Sequence, residues 1–215
     1  MKNGRTRVQI LSQVSAMTEK IRIDSSSLED SISTAVGVHA AGQMKQVADD
    51  NDIEIALAGG IAMHVYGFTR ATTDVDLVAA NVLPLDSNKE LSFGGKNYSV
   101  SVDGREVSVD VIVRNDELAG IYQVALEQAA ETDRGLKIIA PEWLVVMKHL
   151  SARAKDKLDL LWLLQQEKLV DRKKIHENLI DAVGEQSAYF IYSHLQSEFD
   201  YADFLKIREK NKYGE

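Results

Sequence analysis

The chain has 215 residues, 45% of them hydrophobic, enough apolar material for one domain or a small two-part body. A formal net charge of −8 argues against a general nucleic-acid binder, though not against a local basic patch. There is no cysteine, which excludes a disulfide framework and a cysteine-based zinc site and is compatible with a cytoplasmic protein. No apolar run approaches the about 18 residues of a membrane span, and the start MKNGRTRVQILSQVSAM lacks the continuous apolar segment of a signal peptide. The expectation is a cytoplasmic protein with no membrane partner.

Residues 1–23 are ambiguous: Val8, Ile10 and Leu11 fit a strand or the start of a helix. Ser25 to Ser27 give turn and cap signals. Residues 28–49 read as a helix, with Leu28, Ile32, Val36 and Ala40 at fourfold spacing. Gly37 and Gly42 weaken it by up to about 1 kcal/mol each. The polar run Asp50 to Asp52 turns the chain into an apolar strand over 54–58, which stops at Gly59-Gly60. A short helix over 61–66 comes next, its N-terminus pointing toward an anion site. Lacking Cβ atoms, the glycine pair lets backbone N–H groups approach a triphosphate closely. His64 and Tyr66 read as packing residues of this helix, and Gly67 ends it.

A strand over 73–78 places Asp74 and Asp76 on one face and Val75 and Leu77 on the other. Adjacent carboxylates repel, and neither is cheap to desolvate. A hard divalent cation removes that penalty; Mg²⁺, or Mn²⁺ in its place, suits one or two carboxylates plus substrate phosphates. Asp103-Gly104 is a two-residue hairpin signal between alternating strands. In the second strand Val107, Val109, Val111 and Val113 share one face, and Asp110 shares the other with Ser108 and Ile112. A lone aspartate in a valine-rich strand is hard to justify as packing. It reads as a third metal ligand or as a base for an attacking hydroxyl.

Residues 81–96, between these strands, read as a loop. Asn115 is a plausible cap for a helix over 116–132, with Leu118, Tyr122, Ala125, Leu126 and Ala129 inward. A short strand over 136–140 precedes Pro141, which suits the first position of the next helix. In that helix Lys148 stands among Trp143, Val146, Met147 and Leu150, either snorkelling to solvent or reaching a triphosphate. Residues 154–165 form an amphipathic helix with Leu158, Leu161, Trp162 and Leu164 on its apolar side. Its Asp156 and Asp159 either pair at the surface or orient Lys148 and Arg153. Lys and Arg cluster from 134 to 174, as a solvated helical face or as a seat for phosphate or nucleic acid. Asp171 caps a helix to about 183, and Gly184 breaks it. Tyr189, Phe190, Tyr192, Leu195 and Phe199 then read as bundle core, ahead of a frayed tail.

Taken together, Gly59-Gly60, Arg70, Thr72, Asp74, Asp76 and the later strand residue Asp110 resemble the motif of nucleotidyltransferases of the DNA polymerase β-like superfamily. Lys148, Arg153, Lys155, Asp156 and Asp159 resemble a second block, found in the AbiEii-like toxin group of type IV toxin–antitoxin systems. The resemblance covers roughly residues 50 to 165 and implies an α/β (α+β) fold. Residues 1–140 would form a nucleotidyltransferase core, with a short mixed sheet flanked by helices and an N-terminal helical extension. Residues 141–215 would form a C-terminal helical bundle. It implies a metal at Asp74, Asp76 and Asp110, catalytic roles for these three with Lys148 and Asp159, and nucleotide contacts at Gly59, Gly60, Arg70 and Thr72. The substrate would be an NTP, the acceptor an RNA such as a tRNA 3′ end, and the partner a cognate antitoxin. Many members carry Gly-Ser where this chain has Gly59-Gly60, so a phosphate-binding hydroxyl is missing. For Arg70 a structural ion pair is the alternative, its planar fork matching carboxylate as well as phosphate. Transfer to a small cationic acceptor, as in aminoglycoside nucleotidyltransferases, fits the acidic surface. A catalytically inactive nucleotide- or partner-binding module is the third reading, and retention of all three acids speaks against it.

Overall fold

The computed structural model describes residues 30–133 and 135–213. The readings for residues 1–23 and for a helix start at Leu28 lie outside them. Residues Ile32–Glu215 form one compact unit, a mixed α/β structure with a seven-stranded sheet.

Helix α1 spans Thr34–Asp49, shorter than the apolar spacing suggests. Its start is fixed by Ser33, whose Oγ accepts a hydrogen bond from the Val36 N–H at 3.2 Å. Ala40, Ala41, Met44 and Ala48 form its buried stripe. Gly37 is a packing residue as well as a helix weakener, because a Cβ there would lie 2.5 Å from the side chain of Ile61.

Strand β1 (Ile55–Ala58) runs directly into helix α2 (Gly59–Val65), and β2 (Asp74–Ala79) returns antiparallel to β1. The segment that reads as a loop contains β3 (Lys89–Glu90) and reaches the start of β4 (Gly95–Val102). Between β4 and β5 (Arg105–Ile112), Asp103 and Gly104 both have positive φ, 52° and 78°. This is the geometry of a two-residue turn matched to strand twist. Helix α3 covers Ala119–Glu127 only, and its N-cap is Leu118 rather than Asn115. Instead of continuing to Thr132, the chain forms β6 (Ala130–Glu131), paired with β7 (Lys137–Ile138). The sheet order is β3-β4-β5-β2-β1-β7-β6, with β2 parallel to β5 and β1 parallel to β7.

Pro141 opens α4 (Pro141–Ser151), and α5 covers Ala154–Gln165. Helix α6 (Arg172–Tyr213) begins at Asp171, whose Oδ1 accepts from the Lys173 N–H, and is broken at Gly184, with φ 76° and ψ 164°. It remains helical through Tyr213, where the sequence suggests a frayed tail. Of the aromatics that read as core, Phe199 is buried, but Tyr189 and Phe190 are 72% and 65% exposed. In α5 the buried face consists of Asp156, Asp159, Leu160, Leu163 and Leu164, while Leu158 faces solvent. That face turns inward because its two aspartates have cationic partners there.

Candidate metal centre

Strands β2 and β5 run parallel with Asp76 directly opposite Asp110. Since side chains alternate along a strand, Asp74, Asp76 and Asp110 emerge from one face. Each offers an oxygen within 4.8 Å of the other two. Val75, Leu77, Val109 and Val111 on the opposite face are fully buried, which fixes the register and hence the direction of the acids.

Asp76 shows the electrostatic consequence. Burial pushes its carboxyl up, and the neighbouring charge of Asp74 adds to the effect. Lys148 pulls it down, Asp110 pushes it up again, and the balance lies at about 6. Three partly buried carboxylates and no soft donor form a set suited to a hard, oxygen-seeking divalent cation. Gly59 supports the same arrangement. It has φ +60°, and a Cβ there would sit 1.7 Å from Asp76 Oδ2. A Cβ on Gly60 would lie 2.5 Å from Thr72 Oγ1, so a serine at this position would collide with Thr72. The glycine pair therefore makes room for Asp76 and Thr72, a demand that the sequence alone does not reveal.

Thr72 is buried and donates from Oγ1 to Asp74 Oδ1 at 3.2 Å. Arg70 presents its fork to Asp159, with Nε and Nη2 donating to the two carboxylate oxygens at 2.6 and 2.7 Å. Lys148 Nζ lies 2.6 Å from Asp156 Oδ1 and 2.8 Å from Asp159 Oδ2. Ser151 Oγ and Arg153 Nε donate to Asp156 Oδ2 at 2.7 and 2.5 Å. Burial raises the Asp156 carboxyl, but Lys148 above all, with Ser151 and Arg153, overcomes this and brings it to about 2. The second sequence block is thus an ion-pair chain, Arg70–Asp159–Lys148–Asp156–Arg153, in which both aspartates are fully buried. Surface pairing of Asp156 and Asp159 is excluded. Arg153 and Lys155 remain exposed, and their charges reach the acidic cluster.

His64 and Tyr66 have structural partners. His64 Nδ1 faces Thr34 Oγ1 at 3.1 Å, and its Nε2 faces the Arg70 carbonyl at 2.6 Å. Tyr66 donates to the Ile139 carbonyl at 3.0 Å, and its hydroxyl is pushed up to about 12 by burial and by Glu142. Sequence reasoning does not single out Asn97 on β4, which lies opposite Asp110 and donates to its Oδ1 at 2.6 Å. An asparagine in a strand pattern carries no signal of its own. Only the pairing of β4 with β5 reveals it. Two surface grooves of about 710 and 760 Å³ lie elsewhere, and no aspartate of the cluster lines them.

No family model matches the chain, and no curated protein matches it. Among solved structures it is similar to an antigenic nucleotidyltransferase-like protein from Paracoccidioides brasiliensis. The two are 19% identical with a TM-score of 0.40, over 78% of this chain and 91% of that one. Among the described residues, no helix is long and apolar enough to cross a membrane.

Proposed function

We propose that the protein is a metal-dependent nucleotidyltransferase that moves an NMP unit from an NTP to an acceptor hydroxyl. One observation carries the reading: three aspartates from two neighbouring strands converge within 4.8 Å beside a glycine that closes against one of them. On this reading residues 1–140 are the catalytic core, and residues 141–215 are the helical region that contributes Lys148 and Asp159. Asp74, Asp76 and Asp110 hold Mg²⁺ or Mn²⁺, which when bound supplies charge neutralisation at the triphosphate and leaving group. The acceptor oxygen attacks the α-phosphorus, the bond to the β-phosphate oxygen breaks, and pyrophosphate leaves. Asp110 either completes this metal set or takes the acceptor proton as that bond forms.

Thr72 fixes Asp74, and the ion-pair chain fixes Arg70 and Lys148 beside the acids. Exposed Arg153 and Lys155 form a cationic rim that suits the phosphates of a polyanionic substrate. The Gly59-Gly60 bend keeps the backbone close to the cluster, with Asp76 and Thr72 packed against it. By resemblance to the AbiEii-like group, the acceptor is an RNA such as a tRNA 3′ end, and the activity is that of a toxin restrained by a cognate antitoxin.

The test uses NTPs labelled at the α-phosphate, Mg²⁺ and an RNA pool. RNA becomes labelled with the native protein and not with Asp76→Ala. Labelling unchanged by that substitution rejects the assignment. Labelling of a small cationic acceptor, insensitive to ribonuclease, replaces RNA with the aminoglycoside-type reaction.

A further inference from the structure

We infer that Asn97 is a positioning residue that aims the Asp110 carboxylate and thereby sets the affinity of the acidic cluster for a divalent cation. The inference rests on the proposed metal-site reading and extends it to a residue outside the recognised motif. Along β4, Ser99 and Ser101 share a face with Asn97 and are exposed, whereas Asn97 is only 5% exposed. An amide buried on the polar face of an otherwise ordinary strand needs a reason, because burying one without partners is costly.

Here both donors of the amide and one of the two acceptor positions on its oxygen are used. The Nδ2 group has two hydrogens and two acceptors, Asp110 Oδ1 at 2.6 Å and Ser108 Oγ at 2.8 Å. The single carbonyl oxygen accepts from Asn88 Nδ2 at 3.0 Å. Rotating the amide by half a turn would set its oxygen against the carboxylate and its NH₂ against that of Asn88. The ionised carboxylate only accepts, so Asp110 fixes which end of Asn97 faces it, and the Asn88 amide and Ser108 hydroxyl complete the network around that orientation.

Three carboxylates in one cluster repel, and a free Asp110 would turn away from Asp74 and Asp76. The short charge-assisted bond from Asn97 opposes that swing. It occupies one carboxylate oxygen and leaves the other for a cation. Donors that orient metal-binding groups in this way typically contribute about 10–100-fold to metal affinity.

The experiment is titration of the full-length chain with Mn²⁺ alone, read by calorimetry and by the paramagnetic signal of free Mn²⁺. Native protein is compared with Asn97→Leu, of similar size but without a donor, and with Asn88→Ala, which keeps the amide but releases its far end. Asn97→Leu should weaken Mn²⁺ binding at least tenfold while the circular dichroism of the metal-free protein stays native. Equal affinity in native and Asn97→Leu proteins overturns the inference and leaves the metal site standing. If native protein itself fails to bind Mn²⁺, the metal-site reading falls and takes this inference with it. Should Asn97→Leu not fold, Asn88→Ala decides: a several-fold loss supports the role, and unchanged affinity ends it.

Discussion

Asp76 is ionised at neutral pH only against resistance from burial and from Asp74. Its folded value, about 6, lies above the roughly 3.9 of an unfolded aspartate. The folded state therefore holds this proton more tightly than the unfolded chain does. The stability contributed by the protonated group is fully present below about pH 4 and is lost as pH rises through about 6. In the metal-free protein Asp76→Asn removes that loss. Its melting temperature should therefore match native protein near pH 4 and exceed it by a few degrees at pH 7.5. Thermal unfolding in a chelating buffer across this range checks the difference. A variant less stable than native protein at pH 7.5 would mean that Asp76 is already compensated by the chain's own groups. Arg70 and Thr72 show how roles depend on partners that sequence cannot supply. Both stand in the motif, and both are turned toward carboxylates, Asp159 and Asp74.

At the scale of elements, the ion-pair chain joins α4 and α5 to the segment leading into β2. Asp159 carries two cations, Arg70 and Lys148, while being fully buried. Removing one member of a buried ionic group leaves the others uncompensated, at a cost of about 3–5 kcal/mol. Asp159→Ala should lose about that much in urea unfolding, and a loss below about 1 kcal/mol would show that the pairing contributes little. Asp156 acts in the opposite pH direction from Asp76. Its contribution is present above about pH 4 and fades as pH falls toward about 2.

Elements with strict periodicity and local turn chemistry are legible in the sequence. The alternation of Asp74 to Val78, the Asp103-Gly104 hairpin, Pro141 at a helix start and the Gly184 break all rest on interactions within a few residues. Features set by distant partners are not. Helix α3 stops early because Ala130 and Glu131 pair with β7, a contact invisible to helical spacing. The inward face of α5 reads as polar because its aspartates are neutralised from α4 and from Arg70, up to 89 residues away in sequence. Leu158 reads as buried for the same reason, since an apolar count treats Asp156 and Asp159 as solvent-facing. At the site, the shared face of the three acids can be argued from strand period, but Asn97 cannot, because it depends on which strand lies beside β5.

For the whole molecule, the distribution of charge matters more than its sum. The net charge is −8, yet the acidic cluster has a buried ion-pair chain behind it and exposed Arg153 and Lys155 at its rim. On the proposed reading, such an arrangement would draw a cation to the carboxylates and phosphate to the cationic edge, two demands that a uniformly acidic surface could not meet together. The proposed chemistry depends on whether the acids bind one metal centre. The most direct measurement is an anomalous difference map from crystals soaked with Mn²⁺ and an NTP analogue that cannot transfer its α-phosphate. The expected result is a manganese peak within bonding distance of Asp74, Asp76 and Asp110, with the triphosphate beside Gly59-Gly60. A nucleotide bound elsewhere, or manganese absent from these three carboxylates while the analogue is present, would contradict it.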